Sequence, residues 1–273
     1  MKAVKRSYLA VILIFIYAPI ATLIMFSFNA YRSRGEWGGF SLYWYISLFN
    51  NAEIGLALRN TLTLAVFSAL ISTVIGTMAA LGIAAMRKKP RKTLMSVGNI
   101  PVLNPEIVTG IALRVFFLFF INALGGRIGL GFGTLLMAHI TFNISYVMLS
   151  VLPKVRAVDP SVYEAAVDLG ASPFPAFMKV VFPQLVPGIV TGFIFAFTLS
   201  LDDFMISYLT SGNVETLSIY IFSAAYGKRG ISPEINALST LMFVALMVLL
   251  FIVNRRDQHE LRKNKLKKRK ELL

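Results

Sequence analysis

Residues 58–86 read LRNTLTLAVFSALISTVIGTMAALGIAAM, and only Arg59, near the start, carries a charge. A hydrocarbon layer about 30 Å thick is crossed by roughly 20 helical residues, so this stretch is long and apolar enough to span one. Within it Gly76, Ala79, Ala80 and Gly82 form a small-residue face suited to close helix packing. Five further stretches share its character: 8–28, 98–121, 134–152, 186–210 and 235–254. Six spans predict an all-α polytopic membrane protein, with residues 1–273 forming one transmembrane domain.

The composition agrees. Of 273 residues, 56% are hydrophobic and 15% charged, with a mean hydropathy of +0.70. A soluble domain keeps about a quarter of its residues charged. The 22 Phe, 10 Tyr and 11 Met exclude a disordered chain. The absence of cysteine excludes a disulfide scaffold, thiolate catalysis and a cysteine metal site.

The first span follows Lys2, Lys5 and Arg6, but its apolar run is longer than a signal-peptide core of about 7–15 residues. It is expected to stay as a helix, kinked at Pro19. Of the 27 Lys and Arg, 20 fall on the side that holds the N-terminus, residues 87–92, 154–179 and the tail. The positive-inside rule then predicts that both termini are cytoplasmic. Topology thus accounts for the net charge of +14 without a nucleic-acid partner. The tail 255–273 holds the one dense basic cluster, RRDQHELRKNKLKKRK. It is read as a flank touching anionic membrane lipid, worth about 1 kcal/mol per basic residue, with a dedicated partner as the alternative.

Residues 29–57 form an outer loop whose Trp37, Tyr43, Trp44 and Tyr45 read as interfacial anchors. Residues 122–133, NALGGRIGLGFG, are Gly-rich, yet the chain contains no Gly-x4-Gly-Lys-Ser/Thr loop for a nucleotide phosphate. Zinc-ligand spacing and a Gly-x-Ser-x-Gly elbow are missing too, and His139 and His259 are the only histidines. No catalytic residue, metal or cofactor is expected in the chain itself.

The inner loop 153–185, PKVRAVDPSVYEAAVDLGASPFPAFMKVVFPQL, has a definite pattern. Asp159 is placed to cap a helix that opens on Pro160. Gly170 is placed as its left-handed C-terminal residue, and Pro173 and Pro175 are expected to stop any continuation. The adjacent Ala165 and Ala166 would admit another backbone closely beside the Glu164 carboxylate. By itself the pattern fits a docking helix or an interfacial helix equally.

Glu164-Ala165-Ala166, then Gly170 and Val180-Val181-Phe182-Pro183, resemble the EAA motif of ABC-importer permeases, E-A-A-x3-G-x9-I-x-L-P. Val180 and Phe182 stand in its Ile and Leu slots. NPEIVTGIAL (104–113), HITFNISYV (139–147), FTLSLDDFMIS (197–207) and GISPEINALSTL (230–241) extend the likeness to the PotC-type permeases of spermidine/putrescine importers. The resemblance implies a subunit without catalysis of its own that moves polyamines inward across a bacterial cytoplasmic (inner) membrane. It implies a coupling helix at about 160–172, docked on a separate PotA-type ATPase dimer that binds ATP and Mg. It further implies a paralogous PotB-type permease and an extracytoplasmic PotD-type polyamine-binding protein, with Glu164, Ala165, Ala166, Gly170 and Pro183 coupling to the ATPase. Pro183 and Pro187 would stiffen the link to the fifth span. An ABC permease for another small substrate is the alternative, and a secondary transporter a remoter one.

Ionisable groups at mid-membrane are disfavoured by about 2.5–3.5 kcal/mol each, and four fall in the spans: Glu106, Arg114, Asp202 and Asp203. A substrate with several ammonium groups needs acidic acceptors and aromatic faces along its route. Asp202, Asp203 and Glu106, with Phe204 and Tyr208, are therefore candidate pathway residues. Adjacent helical residues point about 100° apart, so the two aspartates are expected to differ. One would face the passage while the other pairs with Arg114 or a backbone donor; two buried structural hydrogen-bonders are the alternative. Pro101 and Pro105 are expected to break the third span near Glu106, whose carboxylate would serve the inner mouth or satisfy freed backbone groups. His139 and Asn143 read as interhelical hydrogen-bonders, and Gly188 and Gly192 as a close-packing pair.

Overall fold

The computed structural model describes residues 2–32, 36–126, 129–226, 233–248 and 251. The basic tail 255–273, the end of the expected span 235–254 and Arg34, Arg127, Lys228 and Arg229 lie outside the described residues. The described chain is all-α apart from one isolated antiparallel bridge between Asn29 and Phe40. Its residues divide into two compact units, one from 1–55 with 220–273 and the other from 56–219.

The first unit opens on α1 (Lys2–Ser27), whose Ile14, Phe15 and Ile16 are all exposed, as a helix facing hydrocarbon requires. The loop behind it is organised around buried Asn29. Its amide donates to the Glu36 carbonyl at 2.8 Å and accepts from the Gly38 N–H at 2.7 Å. Trp44, expected as an interfacial anchor, donates its indole N–H to the Asn29 carbonyl at 2.7 Å. α2 (Tyr43–Asn50) follows, and Ser47 Oγ and Asn51 Nδ2 both donate to the Glu234 carboxylate at the start of α13 (Pro233–Val248).

The second unit is built on α3 (Ala52–Ala85, mostly within this unit), α6 (Glu106–Ala123), α7 (Phe132–Ala157) and α10 (Phe182–Asp202). Where helices pack without a hydrophobic drive between them, small residues let backbones approach. Val147 of α7 sits between two such residues. A Cβ added to Gly76 of α3 would lie 2.7 Å from its Cβ, and one added to Gly192 of α10 would lie 3.2 Å from its Cα. Gly188 meets α7 likewise, at Ser150 and Lys154, whereas Gly82 faces open space. A polar thread crosses the same seam: Asn143 Nδ2 donates to Ser200 Oγ at 2.8 Å, and Ser200 Oγ is 3.0 Å from Ser68 Oγ.

Two spans depart from single continuous helices, the first at the break its prolines predict. The stretch 98–121 is not one helix: α4 (Lys88–Gly98) and α5 (Ile100–Leu103) precede a break at Asn104–Pro105, and α6 starts afresh at Glu106. Pro105 both lacks a donor and forces Asn104 into an extended conformation, which ends a helix. Glu106 is therefore in the first turn of its span. The stretch 186–210 is displaced as well. Helix resumes at α9 (Pro173–Ala176), passes through a π-helical turn at Phe177–Val181 and continues as α10 to Asp202. Pro173 and Pro175 thus end nothing beyond α8 (Pro160–Asp168), because a proline needs no N–H partner in a first turn. Pro183, deeper in, would clash in an α-helix with the carbonyl of Lys179, and the wider π turn supplies room there. Beyond Asp202 the chain leaves the helix and restarts as α11 (Met205–Thr210) and α12 (Leu217–Tyr226).

Five described helices are long and apolar enough to cross a membrane: 7–27, 52–85, 106–123, 132–157 and 173–202. Leu217–Tyr226 and Pro233–Val248 are shorter apolar helices.

Candidate functional site

The break at Asp203–Phe204 brings three of the sequence-selected acids to one place. Glu106, Asp202 and Asp203 line a cavity of about 180 Å³ together with Thr109, Phe142 and Tyr146. Glu106 reaches it from the first turn of α6 and Asp202 from the last turn of α10. Both side chains are exposed to it, and neither is in an ion pair among the described residues. Among those residues no group of three His, Asp or Glu side chains converges closely enough for a metal ion. A diffuse set of carboxylates beside aromatic faces suits an extended organic cation better than a point ion.

Asp203 differs from its neighbour. It is buried, and its Oδ2 accepts from the Ser207 N–H at 2.7 Å while its Oδ1 lies 3.4 Å from the Ile206 nitrogen. Oδ2 is also 3.5 Å from Nε2 of His139, a fully buried ring whose Nε2 is 3.0 Å from Ser207 Oγ. The expected partner Arg114 is elsewhere: its Nη1 donates to the Leu209 carbonyl at 2.9 Å, and no carboxylate among the described residues pairs with it. The short α11 leaves carbonyls with no intrahelical donor, and a cation at a helix C-terminus also meets the negative end of its dipole. Phe204 and Tyr208 do not line the cavity; their rings lie 5.5 Å apart and Tyr208 is 54% exposed. Phe142 and Tyr146 are the aromatics that do, and only their i, i+4 spacing after His139 on one helix face hinted at it.

The 159–183 segment forms from local rules. Asp159 accepts from the Ser161 N–H at 3.0 Å, which holds its carboxyl below the ordinary aspartate value, and α8 opens on Pro160. Gly170 has φ +89°, with Gly170 N–H donating to the Val167 carbonyl at 2.9 Å and Ala171 N–H to Ala166 at 3.1 Å. This paired closure is a Schellman ending, which needs the left-handed residue that glycine supplies. Glu164 and Ala165 are exposed and Ala166 is half-buried. Two exposed apolar residues went unnoticed in the sequence: Leu169, 90% exposed, and Phe174. Pro183 is exposed in the first turn of α10, on the far side of the π turn.

Residues 72–257 match the family described as "Binding-protein-dependent transport system inner membrane component". The chain belongs to that family. This permease is 35% identical to the spermidine/putrescine transport system permease protein PotC of Haemophilus influenzae, over 93% of this chain and 98% of that protein. It is 36% identical to PotC of Escherichia coli K12, over 91% and 92%. The putrescine transport system permease protein PotI of the same organism is 35% identical, over 87% and 85%. Among solved structures, the permease fold resembles a bacterial ABC transporter involved in import of the acidic polysaccharide alginate, with a TM-score of 0.71, 18% identity and coverage of 94% of this chain and 98% of that one. The MetNI methionine ABC transporter gives 0.58 at 20% identity, over 74% and 95%. Two such different cargoes on one scaffold leave cargo to be argued from the cavity.

Proposed function

We propose that this permease is the passage-forming and force-transmitting subunit of an ATP-driven importer of polyamines, of the spermidine or putrescine kind. The observation that carries the reading is the cavity at the α10–α11 break, where Glu106 and Asp202 are presented beside Phe142 and Tyr146. A polyamine carries ammonium groups at neutral pH, and each needs a carboxylate, a carbonyl or an aromatic face in exchange for water. The names of the relatives support the same cargo.

Transmission is assigned to α8. A helix that receives force must be rigid, exposed and covalently continuous with a moving span. α8 is capped at both ends, presents Glu164, Ala165 and Leu169 outward, and leads within a few residues into the helix of Pro173–Asp202. Its partner is a separate ATPase dimer binding ATP and Mg. A paralogous permease and an extracytoplasmic binding protein complete the assembly. In this reading both termini and α8 are cytoplasmic.

The deciding experiment is uptake of radiolabelled spermidine into vesicles holding the complete complex, with ATP or with an ion gradient as the energy source. ATP-dependent uptake that falls at least tenfold in Asp202→Asn or Glu106→Gln is the expected result. Uptake driven by the gradient, or indifferent to both substitutions, refutes the assignment.

A further inference from the structure

The two aspartates at the α10–α11 break occupy opposite surroundings. Asp202 faces the cavity and no side chain donates to it among the described residues. Asp203 has its carboxylate committed to the first turn of α11, through Ser207 N–H at 2.7 Å and Ile206 N–H at 3.4 Å. His139 reaches both partners of that cap from α7: its Nε2 is 3.5 Å from Asp203 Oδ2 and 3.0 Å from Ser207 Oγ. The ring is itself set by Phe142, with centroids 5.3 Å apart. The other end of α11 is fastened too, the Leu209 carbonyl by Arg114 and the Thr210 carbonyl by Thr134 Oγ1 at 2.8 Å.

We propose that Asp203 is a positioning residue locked by His139, and that Asp202 and Glu106 alone make the cation contact. The proposal rests on the polyamine reading of the cavity. A carboxylate that serves a passing ammonium must have lone pairs to offer. Asp203 turns both of its oxygens to backbone N–H groups that the broken helix leaves without an intrahelical acceptor. His139 ties that cap to α7 and so fixes the angle at which α10 ends. Adjacent helical residues diverge by about 100°, so a small rotation of the last turn takes the Asp202 carboxylate off the cavity.

The test uses the complete complex in vesicles with ATP, spermidine as the probe, and the variants His139→Leu and His139→Gln. Leucine keeps bulk without a polar atom, and glutamine keeps an amide able to reach Asp203 and Ser207. The first readout is KM against maximal rate for spermidine uptake. The second needs no substrate: Asp202→Cys is the only thiol in a chain that has no cysteine, and its labelling rate by a neutral thiol reagent reports whether position 202 still faces the cavity. His139→Leu is expected to raise KM about tenfold, the equivalent of one lost charge-assisted hydrogen bond, with less effect on maximal rate. It is also expected to slow labelling severalfold, and His139→Gln to restore both. Wild-type KM and labelling in His139→Leu overturn the proposal, as does a loss that glutamine fails to repair. Should the leucine variant not accumulate, Ser207→Ala removes the hydroxyl that His139 Nε2 meets at 3.0 Å and is expected to shift KM and labelling in the same direction by a smaller factor. If the unsubstituted complex takes up no spermidine, the polyamine reading fails, and labelling at 202 still decides the role of His139.

Discussion

The guanidinium of Arg114 on α6 donates to the backbone carbonyl of Leu209, 2.9 Å away at the end of α11. An intramembrane cation here serves a helix terminus and not an anion. Arg114→Leu should leave that carbonyl without its donor and cost about 1–2 kcal/mol. A lowered melting temperature of the purified protein, partly recovered in Arg114→Lys, is the expected measurement. An unchanged melting temperature in Arg114→Leu shows the bond to be immaterial.

Gly170→Val tests the ending of α8. Open space surrounds the site, so the cost is conformational: a β-branched residue at φ +89° is strained by about 1–2 kcal/mol. The substituted chain should insert normally while ATP hydrolysis by the complex continues without uptake. Gly170→Asn, which tolerates the left-handed region, should retain most uptake. Normal uptake in the valine variant counts against force transmission through α8.

Val147 wedged between Gly76 and Gly192 makes a paired test of the helix seam. Gly76→Val overpacks it and should destabilise the protein by about 1–3 kcal/mol. Val147→Ala opens a gap on the other side of the contact. The double variant should therefore be less destabilised than the two single changes together, as neighbours in contact are. Strict additivity in thermal unfolding would mean the two residues do not share the seam.

Asp159 supplies an acid-sensitive end to α8. Its carboxyl titrates below the ordinary 3.8 because the bond from Ser161 N–H favours the charged form. A depressed native value means the cap contributes above the unfolded value and is lost as pH falls through the native one. Pepsin, active in acid, should cut within Pro160–Asp168 increasingly below about pH 4. Asp159→Asn, a cap without a proton to gain, should flatten that dependence. Identical pH profiles for the two proteins would refute the cap as the cause.

The parts of the fold legible in the sequence are those set by neighbours along the chain. Asp159, Pro160 and Gly170 announce the start and end of α8 because capping and left-handed turns are local chemistry. Asn143 and the Gly188–Gly192 pair were legible as contact residues because the membrane leaves few other uses for them. The break after Asp202 was not legible. Hydropathy runs on through FMISYLT, and the helix stops where it does because Asp203 at the break, His139 and Thr134 of α7 and Arg114 of α6 satisfy what the break exposes. For the same reason an aspartate was one expected partner for Arg114: spacing reports that a charge needs a partner, while only the packing of α6 on α11 reveals it to be a carbonyl. Pro173 and Pro175 misled in the other direction, since a residue that closes one helix is equally suited to open the next.

The wide turn at Phe177–Val181 has a further consequence for α10. An α-helix that takes in one surplus residue is turned by about 100° from there on. Gly188 and Gly192 therefore owe their rendezvous with Ser150 and Val147 to an offset introduced two turns upstream. Shortening that stretch by a single residue would swing both glycines off the seam and bring bulkier side chains against α7, so the segment acts as the phase-setting joint of the lever that α8 leads into.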